Sequence, residues 1–339
     1  MNCVGTDAIK SFKIHYIKGK AKSISFSSND TSDMYAVYVK GEGTTPMLGE
    51  FKHEDGEIVF EPAIPFSNGQ AYEIKKNTQA VFNFTIKPKV AASPELVAVY
   101  PSNDSVPENL LKMYFVFSKP MQEVGRMLDD IKVFDKTDGK EVSIFLELEN
   151  ELWNAEHTQL TLWLDPGRIK RDLIPNQEKG LPIEKGKEYE ISVTTDLKDA
   201  DGIPLGKNYS KMLYVTTRDT HSPNIKDWKI RVPMAGTNEA LIIDFNEPLD
   251  AVLAKETIQI FTNKKQALNG IYKVDQNERQ VRFYPNSPWA RGKYLIRVDA
   301  ILEDLAGNNL NRLFDQNLSQ KTATSNTTKA HELEFAIEF

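Results

Sequence analysis

The sequence predicts an all-β protein built as a row of sandwiches, and three observations carry that expectation. Period-two alternation recurs along the chain, as in Phe12-Lys-Ile-His-Tyr-Ile17, Met113-Tyr-Phe-Val-Phe117 and Leu241-Ile-Ile-Asp-Phe245, where alternate apolar side chains would share one face of a strand. Turn residues separate these runs at short intervals, as in a sandwich or barrel of many short strands. One ordered set of landmarks occurs twice, so the chain contains a duplicated unit.

The first copy runs Val116-Phe-Ser-Lys-Pro-Met121, Ile131-Lys-Val-Phe134, Gln159-Leu-Thr-Leu-Trp-Leu164, Gly186-Lys-Glu-Tyr-Glu-Ile-Ser-Val193 and Leu197-Lys-Asp-Ala-Asp-Gly-Ile-Pro-Leu205. The second runs Ile243-Asp-Phe-Asn-Glu-Pro-Leu249, Ile258-Gln-Ile-Phe261, Gln280-Val-Arg-Phe-Tyr284, Gly292-Lys-Tyr-Leu-Ile-Arg-Val298 and Leu302-Glu-Asp-Leu-Ala-Gly-Asn-Asn-Leu310. Pro120 and Pro248 end strands, because proline donates nothing to a ladder. The residues after them, 121–129 and 249–255, carry helical spacing. Gly186 and Gly292 enter strands where a positive φ is useful. Asp201-Gly202 and Ala306-Gly307 follow strands as turns. A weaker third copy lies at 34–74; it lacks the Phe-x-x-Pro and Asp-x-x-Gly landmarks and is a degenerate or shortened sandwich. His331-Glu-Leu-Glu-Phe-Ala-Ile-Glu-Phe339 alternates as a closing strand, after a Ser, Thr and Asn-rich loop at 319–328. The expected domains are 1–92, 93–219 and 220–339.

These residues resemble the bacterial Ig-like domain of S-layer and large surface proteins, over roughly 95–315. Phe117-Ser-Lys-Pro-Met121 and Tyr189 carry the resemblance in the middle domain. Phe245-Asn-Glu-Pro-Leu249, Tyr294 and Asp304-Leu-Ala-Gly-Asn-Asn-Leu310 carry it in the last. It implies tandem immunoglobulin-like β-sandwich domains serving as spacers, adhesion modules or accessory domains. It supplies no catalytic residues, and a fold alone does not set function.

Composition narrows the classes. With 339 residues and a net charge of −6, the chain has no global attraction for nucleic acid or anionic lipid. The basic run Lys18-Gly-Lys-Ala-Lys22 reads as a solvated surface. The single cysteine, Cys3, permits no intrachain disulfide, so packing alone must hold each sandwich. No run approaches the roughly 20 apolar residues of a membrane helix, and no apolar segment precedes Cys3. Met1-Asn2-Cys3-Val4-Gly5 resembles a bacterial lipoprotein cut near its lipidated cysteine; an ordinary N-terminus with a chance cysteine would read the same way. The expected location is the cell envelope, outer membrane or periplasm, held by that lipid, with the cytoplasm as the other option.

No Gly-x-Ser-x-Gly elbow, phosphate loop, Rossmann fingerprint or metalloprotease motif is present, and no cofactor is expected. His15, His53, His157, His221 and His331 are scattered without zinc spacing, so no metal site is expected. Asp199-Ala-Asp-Gly202 resembles part of a calcium loop but lacks the further oxygens and distal Glu; a turn held by Asp side chains fits better, Asp304 occupies the matching turn, and a weak calcium site between domains is the other option. Trp153, Trp163, Trp228 and Trp289 would form either cores and junctions or a sugar-stacking platform.

The clearest difference between the copies is an insertion, 165–182, where the last domain has only Pro285-Asn-Ser-Pro-Trp-Ala290. It gathers Arg168, Lys170 and Arg171, with Trp163 before it and Asp165 at its entry. Arginine beside an aromatic can receive a carboxylate, phosphate or sulfated sugar. The other reading is a loop whose Ile169, Leu173 and Ile174 fold onto its own domain or the next. The function expected is a non-enzymatic envelope module for spacing, adhesion or assembly, with a protein or surface-glycan partner at this loop. The alternatives are a carbohydrate-binding lipoprotein of a glycan-uptake system, or an enzyme of unrecognised type.

Overall fold

The computed structural model describes residues 9–17, 20–28, 35–41, 45–87, 92–315 and 328–338. Its chain is nearly all β and divides into two compact units, Met1–Ala92 and Ser93–Phe339. Cys3 lies outside the described residues.

Among its described residues the first unit has seven strands: β1 Ser11–Ile17, β2 Lys20–Ser27, β3 Tyr35–Val39, β4 Gly49–Glu54, β5 Glu57–Pro62, β6 Ala71–Lys76 and β7 Gln79–Thr85. They form antiparallel sheets in the orders β1-β2-β5-β4 and β3-β6-β7. Alternation places Ile24 and Phe26 of β2, Val37 of β3, Ile58 and Phe60 of β5 and Ile74 of β6 in one buried core. Asp55 and Gly56 join β4 to β5 with positive φ at both residues, the backbone that matches strand twist in a two-residue hairpin.

The second unit holds two pairs of sheets. The first pair uses β8 Leu96–Tyr100, β9 Ser105–Pro107, β10 Lys112–Phe117, β11 Ile131–Asp135, β12 Leu152–Trp153, β13 Gln159–Trp163, β14 Glu188–Val193 and β15 Tyr209–Thr216. Their orders are β12-β13-β10-β8 and β11-β14-β15-β9, with β9 parallel to β15. The second pair uses β16 Lys229–Arg231, β17 Leu241–Asp244, β18 Ile258–Thr262, β19 Gly270–Asp275, β20 Gln280–Pro285, β21 Gly292–Asp299 and β22 Ala330–Ile337. Their orders are β16-β17-β20-β19 and β18-β21-β22. Thus β10, β13 and β12 stand where β17, β20 and β19 stand in the last sandwich. The alternating segment after residue 328 pairs along β21 as the closing strand.

After Pro120 the chain makes a 3₁₀ turn, Met127–Asp129. After Pro248 it makes a longer helix, Ala251–Thr257, whose N-cap Asp250 accepts from the N–H groups of Val252 and Leu253, an arrangement that satisfies two of the helix's free donors. The insertion carries two further short helices. In chain order the helices are α1 Pro166–Ile169, α2 Ile174–Lys179 and α3 Ala251–Thr257.

Candidate functional site

Strand β10 shows where the two sandwiches of the second unit meet. Met113, Phe115 and Phe117 face its own core. The opposite face carries Lys112, Tyr114 and Val116, which an isolated sandwich would give to water. Tyr114 is instead buried, because the last sandwich covers it.

The cover is a buried ionic knot. Asp250 caps α3 with Oδ1. Its Oδ2 accepts the Tyr114 hydroxyl at 2.6 Å and lies 2.8 Å from Lys112 Nζ. The same ammonium reaches Glu303 Oε2 at 2.8 Å. The Lys112 and Asp250 side chains are only 9% and 3% exposed. Burial opposes the ammonium charge, but Asp250 and Glu303 outweigh it and the Lys112 pKa stays raised. Burial first, then Asp250, raises the Tyr114 hydroxyl far above its ordinary value, so it donates.

Around the knot the backbone closes the seam. Leu111 N–H donates to Leu305 O at 2.9 Å. Ser102 N–H donates to both oxygens of Glu278 at 3.0 and 3.1 Å. The buried Asn109 holds Asp219, at the start of the link between sandwiches, through its N–H and its carbonyl, both at 2.9 Å. Leu305 and Phe314 of the last sandwich pack against the core of the middle one.

The insertion lies along the same seam. Asp165 caps α1 by accepting from Gly167 N–H at 2.9 Å. The Arg168 guanidinium donates to Ser143 O, Gly180 O and Leu181 O, so its donors fasten the loop's ends. Ile169 is buried in the middle core, whereas Leu173 and Ile174 are exposed. Lys170 Nζ sits 4.3 Å from the Phe314 ring centroid. Arg171 Nε donates to Asp315 Oδ2 at 2.9 Å, and Arg218 reaches the same oxygen at 2.7 Å. Trp163 is half-buried, with Lys112 Nζ 5.3 Å from its ring. Of the five residues expected to bind a partner, Asp165, Arg168, Lys170 and Arg171 engage their own loop, their own sandwich or the neighbouring one, and Trp163 engages Lys112 of its own sandwich. Phe314 and Asp315, which receive Lys170 and Arg171, gave no sequence signal because they follow the last landmark.

A carboxylate group sits at the end of this seam. Oxygens of Asp219, Glu247 and Asp304 lie within 4.8 Å of one another. In the middle copy the corresponding positions are Lys119 and Asp199, an attractive pair at 3.5 Å; in the last copy two acids replace it. Burial first, then Asp219, pushes Asp304 up to about 8 and Glu247 up to about 7. Asp304 Oδ1 accepts from Ala306 and Asn308 N–H, and Oδ2 from Asn308 Nδ2. Asp199 Oδ1 similarly accepts from Asp201 and Ile203 N–H. Three oxygens so spaced suit a hard cation; Asp304 is also held by the N–H groups of its own turn, and burial beside Asp219 favours its protonated form.

The tryptophans form no platform: Trp228 and Trp289 lie in the last core, and Trp153 and Trp163 are half-buried against the middle one. Trp153 stacks on His157 at 6.1 Å. A wide open groove of about 870 Å³ runs between β8, β15 and residues 274–278; its acids are already engaged, Glu278 by Ser102, Asp104 by Lys211 and Asp275 by Arg282.

Residues 222–328 match the bacterial Ig-like domain, and the last sandwich is such a domain. The likeness of the middle sandwich to it rests on shared sheet order and paired landmarks. No curated protein matches the chain. Similar solved structures include chicken CNTN1 FN1-FN3 domains, 9% identical with TM-score 0.22, covering 98% of this chain and 100% of that one. A titin fragment is 10% identical with TM-score 0.31, over 88% and 91%. The N-terminal part of the bacterial S-layer protein SbsC is 11% identical with TM-score 0.26, over 74% and 45%.

Proposed function

We propose that the chain is a non-enzymatic spacer and assembly module of a bacterial cell envelope, in which residues 93–339 act as one stiff double sandwich. The observation that carries this reading is the buried Lys112–Asp250–Glu303 knot with Tyr114. Neighbouring domains ordinarily move against one another unless a substantial interface fixes them. Relative motion of the two sandwiches would break these short contacts, and deleting one partner while the seam stays closed leaves an uncompensated buried charge at a cost of about 3–5 kcal/mol. Arg171 of the insertion and Arg218 after β15 both reach Asp315 across the same seam. A spacer needs this property to hold a distal surface at a set distance. In this reading Cys3 carries the acyl anchor, and a diacyl or triacyl mass on the N-terminal peptide from native cells is the expected result. An unmodified peptide beginning at Met1 or Asn2 would remove the anchor.

Stiffness is tested by spin labels at Glu156 and Lys264, both exposed, in a Cys3→Ser background. A narrow distance distribution is expected, broadened by Lys112→Met. A distribution already broad before that substitution would sink the spacer reading.

A further inference from the structure

The two sandwiches of the second unit differ at one edge, and the difference opens a cleft. In the last sandwich β19 is continuous and pairs with β20 over six residues, Gly270 to Asp275, while α3 packs against it. In the middle sandwich the equivalent edge is broken. Phe145 bridges Leu164 and Leu146 N–H donates to Trp163 O at 2.8 Å. The chain then leaves β13 and returns only at Leu152, opposite Thr161. The helix that should cover the gap is reduced to the 3₁₀ turn Met127–Asp129. A cavity of about 260 Å³ remains between that turn, residues 146–152 and β13.

Its floor is aliphatic, with buried Met127, Leu160 and Leu162. Its lip exposes Leu148 and Leu152, 46% and 39% accessible. Its rim is acidic. Glu147 and Glu151 line it, and Glu149 stands between them in sequence. None of these three has a cationic partner among the described residues. Glu151 accepts from Met127 N–H at 3.0 Å and Trp153 Nε1 at 2.8 Å, which fixes the rim to the floor. Arg126, the cation lining the cleft, pairs with Asp129 at 3.5 Å.

We infer that this cleft docks a basic peptide segment of a partner protein, inserting one large apolar side chain with lysine or arginine on either side. The volume lies below the range of about 300–1,000 Å³ usual for small-molecule sites and suits a single anchoring side chain. Trp163 also lines the cleft, but Lys112 Nζ already sits 5.3 Å from its ring, and the buried floor of Met127, Leu160 and Leu162 offers a sugar no hydrogen bonds. The uncompensated carboxylates repel nucleic acid and anionic lipid and attract a cationic segment, as complementary potentials do at protein interfaces. The cleft belongs to the middle sandwich alone, so the inference stands whether or not the seam is stiff.

The test is titration of the full chain, with isotope-labelled leucine methyls, by nonapeptides bearing central Leu, Phe or Trp flanked by lysines. Saturable shifts are expected at Leu148, Leu152 and Leu162. The double variant Glu147→Lys/Glu149→Lys, both exposed, should weaken binding at least tenfold without changing the melting temperature. A peptide with central Ser should bind at least tenfold more weakly than the Leu peptide. No saturable shift at these methyls, or shifts elsewhere only, overturns the proposal. Equal binding by the Ser peptide also overturns it, since that is charge attraction without an anchor.

Discussion

At Gly307 two constraints meet in one residue. Its φ is +79°, and a Cβ there would lie 2.2 Å from Leu111 Cδ2. A left-handed backbone costs a side chain roughly 1–2 kcal/mol, and the Leu111 side chain has little room to retreat because it is buried in the packed middle core. Gly307→Ala is expected to cost more than 2 kcal/mol, beyond the backbone term, read as a lower urea midpoint of the full chain. Gly186, also at positive φ, meets nothing within 4 Å, so Gly186→Ala should lose only the backbone part. A sequence read alone marks both glycines as turns; it cannot tell that one also abuts another sandwich.

Among the elements, the strands were the most legible, because burial follows the period of two that their residues display. The proline-ended strands, the Asp turns at Asp199 and Asp304 and the closing strand β22 were all readable from their own residues. The edge strand of the middle sandwich was not. Leu146-Glu-Leu-Glu-Asn-Glu-Leu152 alternates as well as many strands do, yet the chain leaves β13 there. The signal that a helix is too short to support it lies in a different segment, at 127–129. The insertion was visible as extra length, but not its destination. Arg168 serves backbone carbonyls and Arg171 serves Asp315, and nothing in local sequence distinguishes an arginine facing solvent from one facing a neighbour. The same holds for Lys112: period-two alternation cannot tell a strand face given to water from one covered by a neighbouring sandwich.

For the second unit as a whole, the carboxylates Asp219, Glu247 and Asp304 link the seam to pH. Asp304 is raised to about 8 and Glu247 to about 7, against ordinary values near 4. Around Glu247 stand Arg279 and His221, which oppose the rise, and Asp227, which adds to it; around Asp304, Asp219 adds to it and Asn308 opposes it. Since the folded form holds protons that the unfolded form releases, stability is greatest below about pH 4, as far as this group is concerned, and declines as pH rises to about 8. Urea midpoints measured across that interval should fall with pH. Asp304→Asn, which keeps an oxygen for the turn, should flatten most of the decline. An unchanged slope would mean that the three acids are not coupled as their spacing requires.

Strand β10 lies between β8 and β13 within its sheet, with a hydrocarbon core on one side and the ionic knot on the other. Water can reach its amide hydrogens only when a whole sandwich comes apart, so their exchange with deuterium reports the rarest opening of the molecule rather than the fraying of an edge. With the seam intact that opening requires both sandwiches. The exchange time of Tyr114 and Phe115 is therefore a clock for the pair, and the ratio of that time before and after Lys112→Met measures how strongly one sandwich protects the other.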